Sequence, residues 1–282
     1  MLNIDLHCHS NVSDGVLAPA AVAARAHANG VQVWALTDHD EVDGIAAARA
    51  AAQALGMQHV AGVEISITWG GETVHIVGLQ IDETNTALVQ GLAATRGGRE
   101  QRAHAMAEQL AAVGIPDAFE GALKFVGNPA LISRTHFARH IVEQRICSDV
   151  SEVFRRYLTE GKPGYVPHRW ATLTDTIGWI RGAGGIAVIA HPGRYHFSAL
   201  AQDALFDEFK QLGGSAIEVV TGSHTPDQYA EYAKLAQRYG FLASRGSDFH
   251  APGESRIDLG RLPPLPDGLT PVWHNWALDS AH

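Results

Sequence analysis

Histidine and carboxylate clusters recur along the whole chain, most of them at the end of a short apolar run. They are His7-Cys8-His9, Asp14, Thr37-Asp38-His39-Asp40, Glu64, His75, His191 and Asp248-Phe249-His250. Residues this far apart in a chain can converge only through tertiary folding. Imidazole nitrogen and carboxylate oxygen are ligands of Zn, Mn and Fe. A site with so many ligands would hold more than one ion, and such multi-metal sites usually hydrolyse phosphate esters.

The apolar runs alternate with stretches that have helical periodicity. Strands are predicted at residues 2–6, 31–36, 59–67, 73–79, 185–190, 216–220 and 241–244. Repeated strand–helix units imply a mainly parallel sheet, and 282 residues suit a closed or partly closed α/β barrel. Barrels of this class carry their active sites at the C-terminal ends of the strands. The pattern predicts that His7, His39, Glu64, His191 and Asp248 lie at or just past those ends.

Residues 88–167 interrupt this alternation, because they contain several helical stretches and no convincing strand. We therefore predict a barrel formed by residues 1–98 and 168–282, which carries the metal centre. Residues 99–167 are predicted to form a helical insertion beside it that contributes to substrate binding.

The charge balance separates the insertion from the rest of the chain. The chain has a net charge of -9, which argues against a nucleic-acid coat protein. Residues 96–169 contain eleven Arg or Lys and eight Asp or Glu, whereas the remainder contains ten and twenty-two. A basic segment over a metal site could receive an anionic substrate. An ordinary solvated helical face is the alternative interpretation.

The sequence also bears on cellular location. It contains no run of 18 apolar residues that would span a membrane, and its first residues lack the basic and apolar regions of a secretory signal. Two cysteines, Cys8 and Cys147, provide no disulfide framework. We expect a cytoplasmic protein without membrane association, and nothing in the sequence implies a protein partner.

The spacing within the clusters favours metal binding. His7 and His9 are two residues apart, so on a strand their side chains share one face while Cys8 points to the other, towards the core. Asp248 and His250 have the same spacing. His39 is the predicted ligand of its cluster, with Asp38 and Asp40 capping a helix or orienting a ligand imidazole.

Two carboxylates inside apolar strands are open to more than one interpretation. Glu64 could pair with an arginine, but His75 on the neighbouring strand favours a carboxylate that bridges two ions. Glu218 could orient a ligand or pair with a buried arginine, and the sequence does not decide between these roles.

Taken together, these motifs resemble the PHP (polymerase and histidinol phosphatase) family. That resemblance implies a distorted (β/α)7 barrel with two or three divalent metal ions. It implies a first ion bound by His7, His9, Glu64 and Asp248, and a second bound by Asp14, His39 and His250. A third would be bound by Glu64, His75 and His191, with Glu64 bridging. The N and O donor set makes Mn the first candidate and Zn or Fe the alternatives.

Short motifs in the insertion, Ser133-Arg134-Thr135-His136-Phe137 and Gly161-Lys162-Pro163, resemble one branch of that family. The branch contains nucleoside 3′,5′-bisphosphate phosphatases and 5′→3′ exoribonucleases acting on short RNA. A second phosphate would need its own cationic receptor, which Arg134 could supply through its planar fork. The predicted substrate-binding residues are Arg134, His136, Lys162, Arg194 and His224, and a solvated surface charge is the alternative for each.

The resulting prediction is a phosphoesterase that removes the 3′-phosphate of nucleoside 3′,5′-bisphosphates, with trimming of short RNA as a second activity. Asp14, His191 and Asp248 are the predicted catalytic residues. A phosphatase of the histidinol-phosphate type and an inactive binding module of the same fold are the alternatives. An inactive module should have lost ligands, whereas all of them are present here. A polymerase-associated proofreading domain is a further alternative, but the chain has no room for a polymerase.

Overall fold

The computed structural model describes residues 2–278. Seven strands form one sheet in which the spatial order follows the order along the chain. They are β1 (Ile4–Asp5), β2 (Val33–Leu36), β3 (Gln58–Trp69), β4 (Glu72–Leu79), β5 (Ile186–Ile189), β6 (Ala216–Thr221) and β7 (Leu242–Gly246). The seven strands predicted from the sequence are all present, with their ends shifted by a few residues.

One strand departs from the parallel arrangement. β1, β2 and β3 are parallel to one another, and so are β5, β6 and β7, but β4 runs antiparallel to both β3 and β5. The reversal follows from the tight turn between β3 and β4, where Gly70 and Gly71 have φ values of 58° and 87°. A two-residue turn with positive φ at both positions is typical of a β-hairpin and not of a strand–helix–strand crossover.

Backbone hydrogen bonds bring the two edges of the sheet together. Leu6 N donates to Arg245 O at 3.0 Å, and Asp248 N donates to His7 O at 2.8 Å. Inside the ring, apolar side chains from every wall pack together, among them Leu6, Val33 and Val188. The α/β barrel with seven strands that the sequence predicts is therefore confirmed, and the β3–β4 hairpin is the source of its distortion.

The helices lie outside the sheet or in the interrupting segment. They are α1 (Pro19–Ala28), α2 (Ile45–Ala54), α3 (Thr86–Arg96), α4 (Arg99–Ala112), α5 (Ala118–Leu123), α6 (Arg134–Glu143), α7 (Val150–Val153), α8 (Leu173–Gly182), α9 (Ala199–Gln211) and α10 (Pro226–Tyr239). A π-helical turn, Phe154–Leu158, follows α7 directly. No helix within residues 2–278 is long and apolar enough to cross a membrane.

Local sequence explains how α10 is defined. Thr225 and Gln228 form a reciprocal capping box, Pro226 occupies the first turn, and Gly240 ends the helix in the left-handed conformation. Tyr232 and Ala236 are buried on one face and pack with the core between the helices and the sheet. The start, the end and the buried face of α10 are therefore all indicated by the sequence.

The segment between α3 and α8 contains no strand in the structure, as predicted, and has an apolar core of its own. Met106, Leu110, Phe137 and Ile141 are buried in that core, separately from the barrel. The separate core supports the proposed division into a barrel and an insertion. Met1 and residues 279–282, at the ends of the proposed barrel range, lie outside the described residues.

Close packing at the junction of β1 and β7 leaves no room for a side chain at one glycine. A Cβ added at Gly246 would lie 2.3 Å from the Cβ of His7, whereas one added at Gly178, in α8, would meet nothing within 4 Å among residues 2–278 beyond the neighbouring backbone of its own helix. We expect Gly246→Ala to lower the free energy of unfolding by about 1–3 kcal/mol through overpacking. Gly178→Ala should raise it by about 0.5–1 kcal/mol through helix propensity. Urea denaturation measures both, and an equal effect of the two changes would contradict this packing.

Candidate metal centre

The nine predicted metal ligands converge at one end of the barrel. Their ligating atoms form three groups, and within each group all atoms lie within 4.8 Å of one another. The groups are His7, His9, Glu64 and Asp248; His9, Asp14, His39 and His250; and His39, Glu64 and His75. His191, the ninth, has its Nε2 2.9 Å from Glu64 Oε1.

His7 and His9 lie in the extended segment after β1 and point to the same side. Their Nε2 atoms are 3.1 Å apart, and Glu64 Oε2 lies 3.1 Å from the first and 3.2 Å from the second. Asp248 Oδ1 lies 3.5 Å and 3.3 Å from the same two nitrogens. Cys8 points the opposite way, into the core, where its Sγ accepts a hydrogen bond from Trp34 Nε1. The two-residue spacing thus has the effect predicted for it.

Glu64 occupies the centre of the cluster. Its two carboxylate oxygens lie 2.9–3.2 Å from nitrogens of five imidazoles, namely His7, His9, His39, His75 and His191. Burial acts to raise the pKa of Glu64, but the facing imidazoles outweigh it and hold that pKa well below its usual range. The sequence placed Glu64 at a strand end; it lies within β3 instead, because this strand continues into the hairpin.

Asp14 approaches from the loop after β1. Its Oδ1 lies 3.3 Å from His250 Nε2 and 3.9 Å from His39 Nε2, while its Oδ2 accepts a hydrogen bond from Thr135 Oγ1 at 3.0 Å. Burial acts to raise the pKa of Asp14, but His250 and His39 hold it well below its usual range. Since Thr135 belongs to α6, the insertion takes part in positioning this carboxylate.

The donor atoms fit divalent metal ions. Asp14 Oδ1, Glu64 Oε2 and Asp248 Oδ1 are buried and have no hydrogen-bond partner in the part of the chain that the structure describes. Buried polar atoms without a partner are costly and call for a ligand. Burial lowers the pKa of His7, yet Glu64, Glu218 and Asp248 raise it well above its usual value, so the site stabilises positive charge. Nitrogen and oxygen donors without sulfur suit Mn, Zn or Fe.

Glu218 orients two of these residues from β6. His7 Nδ1 donates to its Oε1 at 2.8 Å, and the backbone N–H of His191 donates to its Oε2 at 2.7 Å. A carboxylate bound to the Nδ1–H of an imidazole leaves the Nε2 lone pair free for a metal. The structure therefore answers the question that the sequence left open, because the partner of Glu218 is a histidine and not an arginine.

Asp38 and Asp40 flank His39 and hold backbone segments in place. Asp38 accepts from Ser10 N at 2.7 Å and from Ser13 Oγ at 2.6 Å, which shapes the loop that carries Asp14. Asp40 accepts from Ser66 N at 2.7 Å and pairs with Arg99 of the insertion. Neither aspartate belongs to a group of ligating atoms, which agrees with the supporting role predicted for both.

Three residues around the site have unusual backbone conformations. Asp40, His191 and Asp248 have φ values of 52°, 28° and 55°, in the left-handed region that non-glycine residues seldom adopt. Strained backbone persists where surrounding contacts over-determine it, and it concentrates at functional sites. At His191 one such contact is the hydrogen bond from its N–H to Glu218.

A cationic cavity of about 110 Å³ adjoins the ligands, and we call it the anchor cavity. Arg99, Arg102, Arg134 and Arg194 all line it. Arg102 Nε donates to Val166 O and Arg134 donates to Leu158 O, so both arginines hydrogen-bond to backbone carbonyls. Within residues 2–278 neither pairs with a carboxylate. Burial, together with the neighbouring Arg134 and Arg99, lowers the pKa of Arg102 to about 9.

The structure sorts the predicted substrate-binding residues into two sets. Arg134 lines the anchor cavity, and so does Arg194, whose guanidinium lies 3.1 Å from Asp248 Oδ2. His136 is instead fully buried. Its Nδ1 accepts a hydrogen bond from Ser133 N and so caps the start of the helix. His224 is buried too, with its Nε2 accepting from Gly193 N, and Lys162 is exposed and does not line the cavity.

Sequence reasoning missed two arginines of the anchor cavity. Arg99 and Arg102 are three residues apart, so both lie on one face of α4. Their side chains stack on Trp170, with guanidinium carbons 4.5 Å and 5.5 Å from the ring centroid. The repeated arginines at the start of a predicted helix were the available signal, but only the fold shows that they face the metal ligands.

Comparison with known proteins agrees with this geometry. A model of the PHP domain matches residues 5–166. The 3′,5′-nucleoside bisphosphate phosphatase of Chromobacterium violaceum is 51% identical over 273 residues, which are 97% of this chain and 96% of that relative. The 5′-3′ exoribonuclease Rnm of Escherichia coli is 42% identical over 274 residues, 96% of this chain and 93% of its own length.

Solved structures give the same result. An amidohydrolase from Chromobacterium violaceum, with bound sulfate and no metal, superposes with a TM-score of 0.94 at 51% identity, over 96% of this chain and 94% of that chain. A protein described as a metal-dependent phosphoesterase, from Bifidobacterium adolescentis, superposes with a TM-score of 0.80 at 28% identity, over 95% and 92%. The chain therefore belongs to the PHP domain family.

Proposed function

We propose that this protein is a metal-dependent phosphatase that converts nucleoside 3′,5′-bisphosphates to nucleoside 5′-monophosphates. The observation that carries the proposal is the anchor cavity, which lies directly beside the metal ligands and has four arginines in its wall. The site thus has two places for phosphate, one at the ligand cluster and one among guanidinium groups. The relative from Chromobacterium violaceum, named for this reaction, supports the same substrate.

The three groups of ligating atoms would hold two or three divalent ions, with Mn as the first candidate. When bound, such ions lower the pKa of water and neutralise charge on phosphoryl oxygens. Asp14 and Asp248 supply carboxylate oxygens to separate groups, and Glu64 links two of them. Burial and the nearby Arg194 lower the pKa of His191 to about 3, so its imidazole is neutral at pH 7 and suited to bind a metal.

The arginines of the anchor cavity would hold the phosphate that does not react. Arg134 and Arg102 bring two guanidinium groups that have no carboxylate partner within residues 2–278, and guanidinium binds phosphate oxygens through paired N–H groups. Arg194 lies between this cavity and Asp248, where it can contact the reacting phosphoryl group. Binding energy gained at the anchored phosphate can then be used at the reacting centre.

The alternatives fit the site less well. Histidinol phosphate has one phosphate and a cationic amine, and a cavity lined by four arginines would repel that amine. An inactive binding module should have lost ligands, yet all nine converge. Trimming of short RNA from the 5′ end is retained as a second activity, supported by exoribonuclease relatives 40–42% identical to this chain.

A cytoplasmic location also remains part of the proposal. Cys8 and Cys147 are both free and buried, which agrees with a reducing compartment.

A substrate comparison tests the proposed reaction. The Mn-loaded protein should release inorganic phosphate and adenosine 5′-monophosphate from adenosine 3′,5′-bisphosphate, as followed by phosphorus NMR. Adenosine 3′-monophosphate should lose most of kcat/KM, because it lacks the anchored group, and histidinol phosphate should react poorly. A product that retains only the 3′-phosphate would show that the 5′-phosphate is the one released. Equal rates on the 3′-monophosphate and the bisphosphate would show that the second phosphate is not anchored.

A single arginine tests the anchor itself. Arg134→Ala should raise KM for the bisphosphate about 10- to 100-fold, the effect of losing a hydrogen bond to a charged group. KM for the 3′-monophosphate should change little, since that substrate leaves the anchor cavity empty. Arg145→Ala, at an exposed arginine of the insertion that lines neither this cavity nor the ligand cluster, is the control. Equal shifts for both substrates would show that Arg134 acts on the fold or on the reacting phosphate.

Metal content tests the ligand assignment. Asp248→Asn should reduce activity by about 100-fold or more together with metal content, and Glu218→Gln should weaken metal affinity about 10- to 100-fold by releasing His7. Elemental analysis after gel filtration measures the metal, and circular dichroism checks the fold. Glu231→Gln, at an exposed position in α10, should change neither quantity. Normal metal content in Asp248→Asn would exclude this residue as a ligand.

A further inference from the structure

A second cavity, of about 500 Å³, borders the metal ligands Asp248 and His250, and we call it the outer groove. It shares Thr135, Phe154, Arg194 and His250 with the anchor cavity, so the two are continuous past the ligand cluster. A volume of this size is in the range of small-molecule sites. The phosphate released from a bisphosphate would leave most of it unfilled.

Two arginines of the outer groove form no ion pair within residues 2–278. Arg155 comes from the insertion and Arg256 from the loop that follows β7, so two separate segments of the chain supply them. Both are exposed, and within residues 2–278 neither pairs with a carboxylate. The lining has two carboxylates, and both are paired: Glu254 with Arg139 at 2.8 Å and Asp248 with Arg194 at 3.1 Å. The groove therefore offers unneutralised positive charge to an anion.

The insertion presents its side of the groove through an unusual turn. Phe154 and Arg155 begin the π-helical turn that follows α7, and such turns are rare and often occur at functional sites. Phe154 lies in the wall of both cavities, and the guanidinium of Arg134 stacks over its ring at 5.6 Å. An aromatic ring flanked by arginines is the kind of surface that binds single-stranded nucleic acid.

We propose that the outer groove is a subsite for the downstream nucleotide of an oligoribonucleotide, with Arg155 and Arg256 binding the next phosphate along the strand. The inference rests on the proposed function, because it takes the anchor cavity as the site of the strand's 5′-phosphate. The phosphate at the ligand cluster is then a diester, and the rest of the strand continues from it into the outer groove.

The same bond is hydrolysed in both substrates. The oxygen of water adds to phosphorus, and the bond from phosphorus to O3′ of the anchored nucleotide breaks. O3′ takes up one proton of the water. The second proton leaves as the new 5′-phosphate of the strand ionises, or stays on the hydrogen phosphate released from the bisphosphate. The products are a nucleoside 5′-monophosphate in the anchor cavity and a strand shortened by one nucleotide, with a new 5′-phosphate, in the outer groove. The bisphosphate is the case in which no nucleoside follows the reacting phosphate.

Substrates of different length distinguish the contribution of the outer groove to binding from that of the rest of the site. Adenosine 3′,5′-bisphosphate and the 5′-phosphorylated diadenylate lack a phosphate beyond the reacting one, whereas the 5′-phosphorylated triadenylate has it. The double variant Arg155→Gln, Arg256→Gln should raise KM about tenfold for the triadenylate and leave KM and kcat for the bisphosphate unchanged. Arg145→Gln is the matched control. No change on the triadenylate, or equal changes on it and on the bisphosphate, would overturn the proposal.

Binding without turnover tests the groove even if the proposed activity fails. Calorimetry with the triadenylate in EDTA gives Kd, and its dependence on salt counts phosphate contacts. The slope of log K against log salt should fall in magnitude by about 0.7 in the double variant, which corresponds to one lost contact to a single strand. An unchanged slope would overturn the groove assignment. The unmodified protein could fail to hydrolyse all three substrates while the double variant still lowers the salt slope. That combination would reject the proposed function and leave the groove assignment in place.

Discussion

The structure of the site depends on one buried carboxylate. Glu64 is fully buried, and burying an isolated carboxylate is so costly that it is tolerated only with compensating partners. The five imidazoles around Glu64 come from four separate stretches of chain: the segments after β1, β2 and β5, and the strand β4. These imidazoles surround Glu64 only when the strands assemble into the barrel. The charge of Glu64 is therefore compensated only in the folded barrel.

The insertion completes the site. Arg99 pairs with Asp40, Thr135 donates to the carboxylate of Asp14, and Arg139 donates to the backbone carbonyl of Asp14 at 2.7 Å. These contacts place the arginines of α4 and α6 beside the ligands, where they line the anchor cavity. Since the barrel supplies the carboxylates of the ligand cluster and the insertion supplies three of the four arginines of the anchor cavity, the proposed preference for a substrate with two phosphates depends on how the two are joined.

The sequence alone was sufficient to predict the strands, the barrel class, the convergence of the nine candidate metal ligands and the absence of strands in the insertion. The reason is physical: short apolar runs and helical periodicity are local, and polar clusters at the ends of successive strands must meet when the strands align. The reversal of β4 was not predicted as such. Its turn, Gly70-Gly71, was visible, but the consequence that Glu64 lies inside a strand and not at its end depends on the length of the hairpin.

The sequence by itself determined which residues could bind metals, since residue type and strand position specify both chemistry and direction. Only the tertiary structure decided which cations line the anchor cavity. Arg134 and His136 lie two residues apart on α6, yet the arginine lines the anchor cavity while the histidine caps its own helix. In a helix, two residues turn the side chain by more than half a revolution, so the direction of each depends on how the insertion packs against the barrel.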